Sequence, residues 1–237
     1  STLLRRLASL RQFFRLMVRE EFPVCQETLD KLNDIRIPAE RKLPVALDED
    51  EVMGFLRSID SERDRAIIVV MLFMGLRVSE VVQLNVNDIQ PGQRSITIRG
   101  KGSKERQIPI HPIVHEAVQA YLKVRIDAPA DDLGEPLFVS NRKKRIDPST
   151  IRRFIKRYSL AVDELEMRKK QRLSPHKFRH TFATLLLSNG VDIRYIQELL
   201  GHQHLSTTEI YTAVSSTELE AAIAKHPLGD VGTDQSS

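Results

Sequence analysis

The chain has 237 residues, enough for one sizeable domain and a smaller appendage. Its 36 Lys and Arg against 32 Asp and Glu leave a net charge of only +4, so a polyanionic partner is implied only if the basic residues cluster. A single cysteine, Cys25, excludes an internal disulfide framework and, with it, a zinc site built from cysteines.

Taken from the N-terminus, Leu3, Leu7, Leu10, Phe14 and Met17 recur at three- and four-residue spacing and predict an amphipathic helix over residues 2–19. Its polar face carries Arg5, Arg6, Arg11, Arg15 and Arg19. One helix cannot bury its own apolar stripe, so this piece requires a surface to dock on. Residues 29–35 predict a short second helix. The stretch from Ile37 to Pro44 reads as an extended linker, because residues before proline avoid the helical region, and the domain boundary falls there. Asp48, with Glu51 three residues on, caps a helix through Leu56. Ala66 to Met74 is apolar all round, the mark of a buried helix, and Gly75 stops it. A short helix over 79–84 follows. Residues 95–99 and 105–110 favour β-branched side chains and flank a Gly100–Lys104 turn, which predicts a β-hairpin. Further helices are expected over 115–124, over 149–158 with Ser149 as cap, over 178–189 and over 193–200, the last two closed by Gly190 and Gly201. Residues 217–224 form a last short helix with Leu219, Ala222 and Ile223 as its stripe, and the tail from Pro227 reads as disordered. The class is mainly α with a small antiparallel β-sheet. With no apolar run near the roughly 18 residues that span a bilayer and no signal-peptide pattern, a cytoplasmic protein is expected. The leading serine points to a processed or shortened chain.

Singly, the polar candidates carry little. Arg77 follows a helix-ending glycine, where an arginine is ordinarily a solvated charge. Lys101 sits at a hairpin tip. His176 and Arg179 share a helical face if their helix begins near Pro175. His176 and His180 bring no third ligand at zinc-like spacing, so no metal is expected. An unbroken helix would hold His202 and Tyr211 about 14 Å apart, too far for one phosphate to engage both easily. Ser206 and Glu209, however, form a capping box that starts a new helix and lets Tyr211 swing back.

In order along the chain, Gly75-Leu-Arg-Val-Ser-Glu80, Gly100-Lys-Gly-Ser-Lys-Glu105, Ser174-Pro-His-Lys-Phe-Arg-His180, Leu199-Leu-Gly-His202 and finally Tyr211 together resemble the motif set of the tyrosine recombinase (phage integrase) family, most closely its Xer-like branch. The resemblance implies an α+β tyrosine recombinase catalytic domain over 47–226 that ends in an exchange helix. It implies a linker over 37–46, a tail over 227–237, and residues 1–36 as the C-terminal remnant of a helical core-binding domain that is otherwise missing. It further implies Arg77, Lys101, His176, Arg179, His202 and Tyr211 as the active constellation, with Glu80 as a supporting partner. The roles make physical sense independently. A five-coordinate phosphate gathers negative charge that guanidiniums and a histidine donor can meet with charge-assisted hydrogen bonds. A tyrosine with an ordinary pKa near 10 needs help in losing its proton, for which His176 is the candidate, while Lys101 is the candidate for protonating the departing 5′ oxygen. No cofactor, metal or ATP is expected.

Beyond these residues, Arg142, Lys143, Lys144, Arg145, Arg152, Arg153 and Lys156 concentrate positive charge and are expected to contact DNA, the helix with Arg152 reaching toward a groove. The implied partner is double-stranded DNA with specific sites, bound by a homotetramer on two sites whose C-terminal helices are exchanged. Two other classes compete: a DNA-binding regulator without catalysis, disfavoured by the intact Arg77, Lys101, Arg179 and Tyr211, and a type IB topoisomerase that relaxes supercoils without exchanging partners.

Overall fold

The computed structural model describes residues 2–35, 46–99, 105–163, 165–201 and 216–228. The chain forms two compact units, 1–44 and 45–237. In the first, helix α1 (Thr2–Arg19) packs on α2 (Gln26–Asp34). Arg11 of α1 closes the C-terminus of α2, donating to the carbonyls of Leu32, Asn33 and Ile35 at 3.1, 3.0 and 2.9 Å. A cation is well placed there, because the last carbonyls of a helix lack intrahelical donors. Leu7 is buried, whereas Leu10, Phe13 and Leu16 remain about half exposed. Helix α2 begins three residues earlier than the spacing predicts, at Gln26.

The second unit is built around α4 (Glu62–Met74), buried from Ala66 to Met74 as its unbroken apolar run dictates. It packs against α6 (Pro112–Val124) and α9 (Pro175–Ser188). Ser61 caps it, so the helix starts one turn before the apolar run, on the charged stretch Glu62–Arg65. Helix α3 (Glu49–Arg57) carries the expected capping box between Asp48 and Glu51. It delivers Phe55 onto Phe178 and Tyr158, with ring centroids 5.2 and 6.5 Å away. Helix α5 (Val78–Gln83) and a 3-10 turn (Val86–Asp88) lead into the only sheet among the described residues. It is an antiparallel pair, β1 (Ser95–Arg99) and β2 (Glu105–Pro109), in register from Ser95 opposite Pro109 to Arg99 opposite Glu105. The helices α7 (Pro148–Ala161), α8 (Met167–Arg172), α10 (Ile193–Leu200) and α11 (Ser216–Ala224) complete the unit.

Several boundaries differ from expectation for local reasons. Helix α6 starts at Pro112 and α9 at Pro175, since proline is well suited to a first helical position. Helix α7 is capped by Asp147, which accepts from the Ser149 N–H at 2.7 Å, and Ser149 is not the cap. Pro148 occupies the first turn and shifts the cap two residues upstream. Leu228, placed in the tail by sequence, is buried, as is the Leu219, Ala222 and Ile223 stripe of α11, which lies on β2 and α10 of its own domain. No described helix is long and apolar enough to cross a membrane.

Candidate active site

The C-termini of α4 and α10 converge on one guanidinium. Gly75 ends α4 in the left-handed region at φ 60°, and a Cβ there would sit 2.6 Å from Cδ1 of Phe182, so only glycine permits both the turn and this packing. The freed Gly75 carbonyl accepts from Nη1 of Arg179 at 2.6 Å, and the Leu200 carbonyl at the end of α10 accepts from Nη2. Arg179 stands at the start of the second turn of α9 and is buried. Two helix C-termini, each with partial negative charge, hold this cation inside the protein. Burial and then Arg77 pull its pKa down to about 10, with Glu80 opposing and Arg106 adding to the effect; it stays charged at neutral pH.

Two residues past Gly75, Arg77 caps α5. Its backbone N–H donates to Oε2 of Glu80 at 2.7 Å and its Nη1 to Oε1 at 2.8 Å. The Arg77 side chain is 37% exposed while Glu80 is buried, so the carboxylate anchors an arginine that still reaches solvent. A second guanidinium grips the same carboxylate from the other side. Arg106 on β2 donates from Nη1 and Nη2 to Oε1 and Oε2 at 3.0 and 2.8 Å, and from Nε to the Leu199 carbonyl at 2.9 Å. Burial alone would push the Glu80 carboxyl up, but the hydrogen bonds from Arg106 and Arg77 together hold it below its usual range. The result is three guanidiniums around one carboxylate, a preorganised excess of positive charge that suits an anion with several oxygens.

Of the residues expected from sequence, Arg77, Glu80 and Arg179 are brought together here. His176 is exposed on the first turn of α9, three residues before Arg179. Lys101, His202 and Tyr211, like the Ser206 and Glu209 capping box, lie outside the described residues. Arg106 is absent from the sequence expectation. A signal for it was present: β2 alternates exposed and buried, and Arg106 shares the inward parity of Ile108. A charged residue at that parity must find a partner inside.

The basic stretch divides. Arg142, Lys143 and Lys144 are exposed on a tight turn in which the Ser140 N–H donates to the Lys144 carbonyl at 2.8 Å and Lys143 takes φ 55°. Arg152, Arg153 and Lys156 are exposed on α7. Arg145, also expected to contact DNA, turns its donors inward. Its Nε and Nη2 bind Asp131 at 2.6 and 2.8 Å, its Nη1 reaches the Val82 and Leu84 carbonyls at 3.0 Å, and Nη2 also reaches Asn85 Oδ1 and the Gly134 carbonyl. A guanidinium has five N–H donors, and these internal acceptors use them all. Among the described residues no cluster of three His, Cys, Asp or Glu side chains could hold a metal ion.

A mainly helical domain that gathers these arginines at the meeting of two helix ends defines the class: the chain belongs to the phage integrase family, which matches residues 46–218. Xer recombinases are among its relatives. It is 39% identical over 228 residues to a tyrosine recombinase XerC of Caldanaerobacter subterraneus subsp. tengcongensis, covering 94% of this chain and 62% of that protein. Among solved structures it is similar to XerA recombinase, with 30% identity and a TM-score of 0.61 over 94% of this chain and 83% of that one. It is also similar to XerH site-specific recombinase bound to palindromic difH substrate in a post-cleavage complex, with 27% identity and a TM-score of 0.61 over 73% of this chain and 51% of that one.

Proposed function

We propose that this chain is a site-specific DNA recombinase that cuts and rejoins strands through a 3′-phosphotyrosyl intermediate. The observation that carries the reading is the excess of guanidinium charge around Glu80, held ready before any anion arrives. Arg77 and Arg179 grip the non-bridging oxygens of one phosphate, a task for planar forks and not for point charges. The hydroxyl oxygen of Tyr211 attacks phosphorus and gives its proton to His176, and His202 donates to the phosphate. The bond to the 5′ oxygen breaks, and Lys101 supplies the proton that makes the 5′-hydroxyl. One phosphodiester is exchanged for one phosphotyrosyl ester, so the bond energy is kept for religation and no ATP is consumed. The guanidiniums carry the charge that a metal supplies in other phosphoryl-transfer sites.

Residues 47–226 form the catalytic domain in this reading, 37–46 the linker and 1–36 the C-terminal piece of a helical core-binding domain. Arg142, Lys143, Lys144, Arg152, Arg153 and Lys156 track the phosphates of double-stranded DNA in the cytoplasm. The working assembly is a homotetramer on two sites. The α11 stripe that lies on β2 and α10 fits the same surface of another copy, because identical chains present identical sites, and its exchange couples the protomers. The task is dimer resolution or the integration and excision of a mobile element.

The test uses DNA from the native locus, nicked near the cleavage position so that the released fragment diffuses away. A denaturant-resistant protein–DNA adduct is expected with the wild-type chain and none with Tyr211→Phe. Bound DNA without an adduct would instead indicate a regulator. Deletion of residues 217–237 should abolish recombination and spare relaxation of supercoiled DNA; recombination that survives it overturns helix exchange.

A further inference from the structure

Arg106 lies outside the set of residues that touch the phosphate in the proposed reaction, and its Nε, Nη1 and Nη2 all donate to partners inside the protein. Yet it joins three parts of the chain that are far apart in sequence. From β2 it reaches Glu80 through a bidentate pair and Leu199 through Nε. Glu80 is the side-chain partner of Arg77, and the carbonyl next to that of Leu199, on Leu200, holds Arg179. The backbone has been shaped around it: Gly201 stands at φ 62°, and a Cβ there would meet Cδ of Arg106 at 2.9 Å. Its own strand leads back into the connection that carries Lys101.

We propose that Arg106 is a positioning residue for strand cleavage, fixing Glu80 and through it Arg77 relative to the α10 end that holds Arg179, and tying both to the hairpin. The inference rests on the strand-cleavage reading. The physical need is clear: Arg77 has a long side chain, and the transition state rewards only a fork already aimed at the oxygens. Glu80 can aim it only if its own carboxylate plane is fixed, which two parallel bonds from Arg106 do and one bond from a lysine does not. A salt bridge that served only stability would carry no such demand on geometry.

The experiment compares wild type, Arg106→Lys, Glu80→Gln and the double variant on the nicked duplex at saturating DNA, with Kd and Tm measured alongside. Arg106→Lys keeps the charge and is expected to slow adduct formation by about 10–100-fold, the range seen when an outer partner of a reactive group is lost, with Kd within about twofold. The double variant should be no slower than the slower single one, because both act on Arg77. The pH profile supplies a readout that a purely structural role would not move. Glu80 faces Arg77 from the start of α5, Arg106 from β2 and Arg179 from α9. With Arg106 shortened, the buried carboxylate takes up a proton more readily, and the acid limb of the cleavage rate moves to higher pH. Equal rates in wild type and Arg106→Lys, or a loss that follows Kd or Tm and leaves the acid limb in place, would overturn the inference alone. Wild-type chain that binds DNA without forming an adduct overturns the cleavage reading and this inference with it.

Discussion

Arg145 and Lys144 are neighbours of like charge, and the fold separates them. Arg145 directs every donor it has into Asp131, Asn85 and backbone carbonyls, so it stitches the 131–134 turn and the end of α5 to the 139–145 turn. Truncating it removes these bonds and leaves the Asp131 carboxylate without its guanidinium partner. Arg145→Ala should therefore lower Tm by about 5 °C or more and leave the salt dependence of duplex binding unchanged. Lys144→Ala should do the reverse, sparing Tm and reducing the slope of log K against log salt by about 1. Thermal unfolding and a salt titration on random duplex DNA decide it; the opposite pattern would return Arg145 to the DNA face. Charge clustering reads well from sequence, whereas the internal acceptors that claim one member of a cluster do not. Arg77 and Arg179 were legible because they stand inside motifs at fixed offsets from Gly75 and Pro175. For Arg106 only the inward parity on β2 was legible, because its partners, Glu80 and Leu199, are 26 and 93 residues away.

At the scale of elements, the apolar run of α4 and the alternation of the hairpin were legible, since a single periodicity dominates each. Helix α8 was not: of its six residues only Met167 is apolar, so it has no stripe to read. It is held by tertiary bonds, with Ser159 Oγ donating to the Lys170 carbonyl at 3.0 Å and Lys169 Nζ meeting Glu51 at 2.5 Å. The junction between α4 and α5 shows how an element end sets the site. Gly75→Ala forces a Cβ into the Phe182 ring at a positive φ and shifts the carbonyl that holds Arg179. A loss of about 1–3 kcal/mol is expected in urea unfolding, with the midpoint falling and the slope unchanged. Adding Phe182→Leu should recover part of the penalty for the alanine, a coupling that a double-mutant cycle detects. Additive losses would mean that the strain lies in the backbone alone.

In the domain as a whole, the segment after α11 is pinned by a histidine. His226 is 3% exposed, lies against Phe73 and Phe182 with centroids at 4.2 and 6.0 Å, and bonds through Nε2 to the Leu72 carbonyl at 3.1 Å. A carbonyl accepts, so Nε2 carries the proton of the neutral ring, and Nδ1 is buried without a partner among the described residues. A second proton has no acceptor to meet among the described residues. Burial, reinforced by His111, pushes the His226 pKa down to about 4, although the Leu72 carbonyl opposes this. The unfolded chain binds that proton near pH 6.5, so between about 6.5 and 4 it holds more protons than the folded one, and stability falls as pH falls. Stability is full above pH 6.5, and the total loss from this ring is about 3 kcal/mol. Asp131 and Asp192, both held at about 2 first of all by their arginine partners, give up their contributions only at lower pH. His180, lowered by burial and Lys177, adds in the same direction as His226. Urea unfolding of the wild type between pH 6.5 and 5 should therefore show stability rising with pH by up to about 1.4 kcal/mol per unit from His226, with His180 adding in the same direction. His226→Gln, which cannot take up a proton, should remove most of that slope. An unchanged slope would assign it to His180 or to the unfolded chain, and would mean that the ring between Phe73 and Phe182 accepts charge more easily than its surroundings allow.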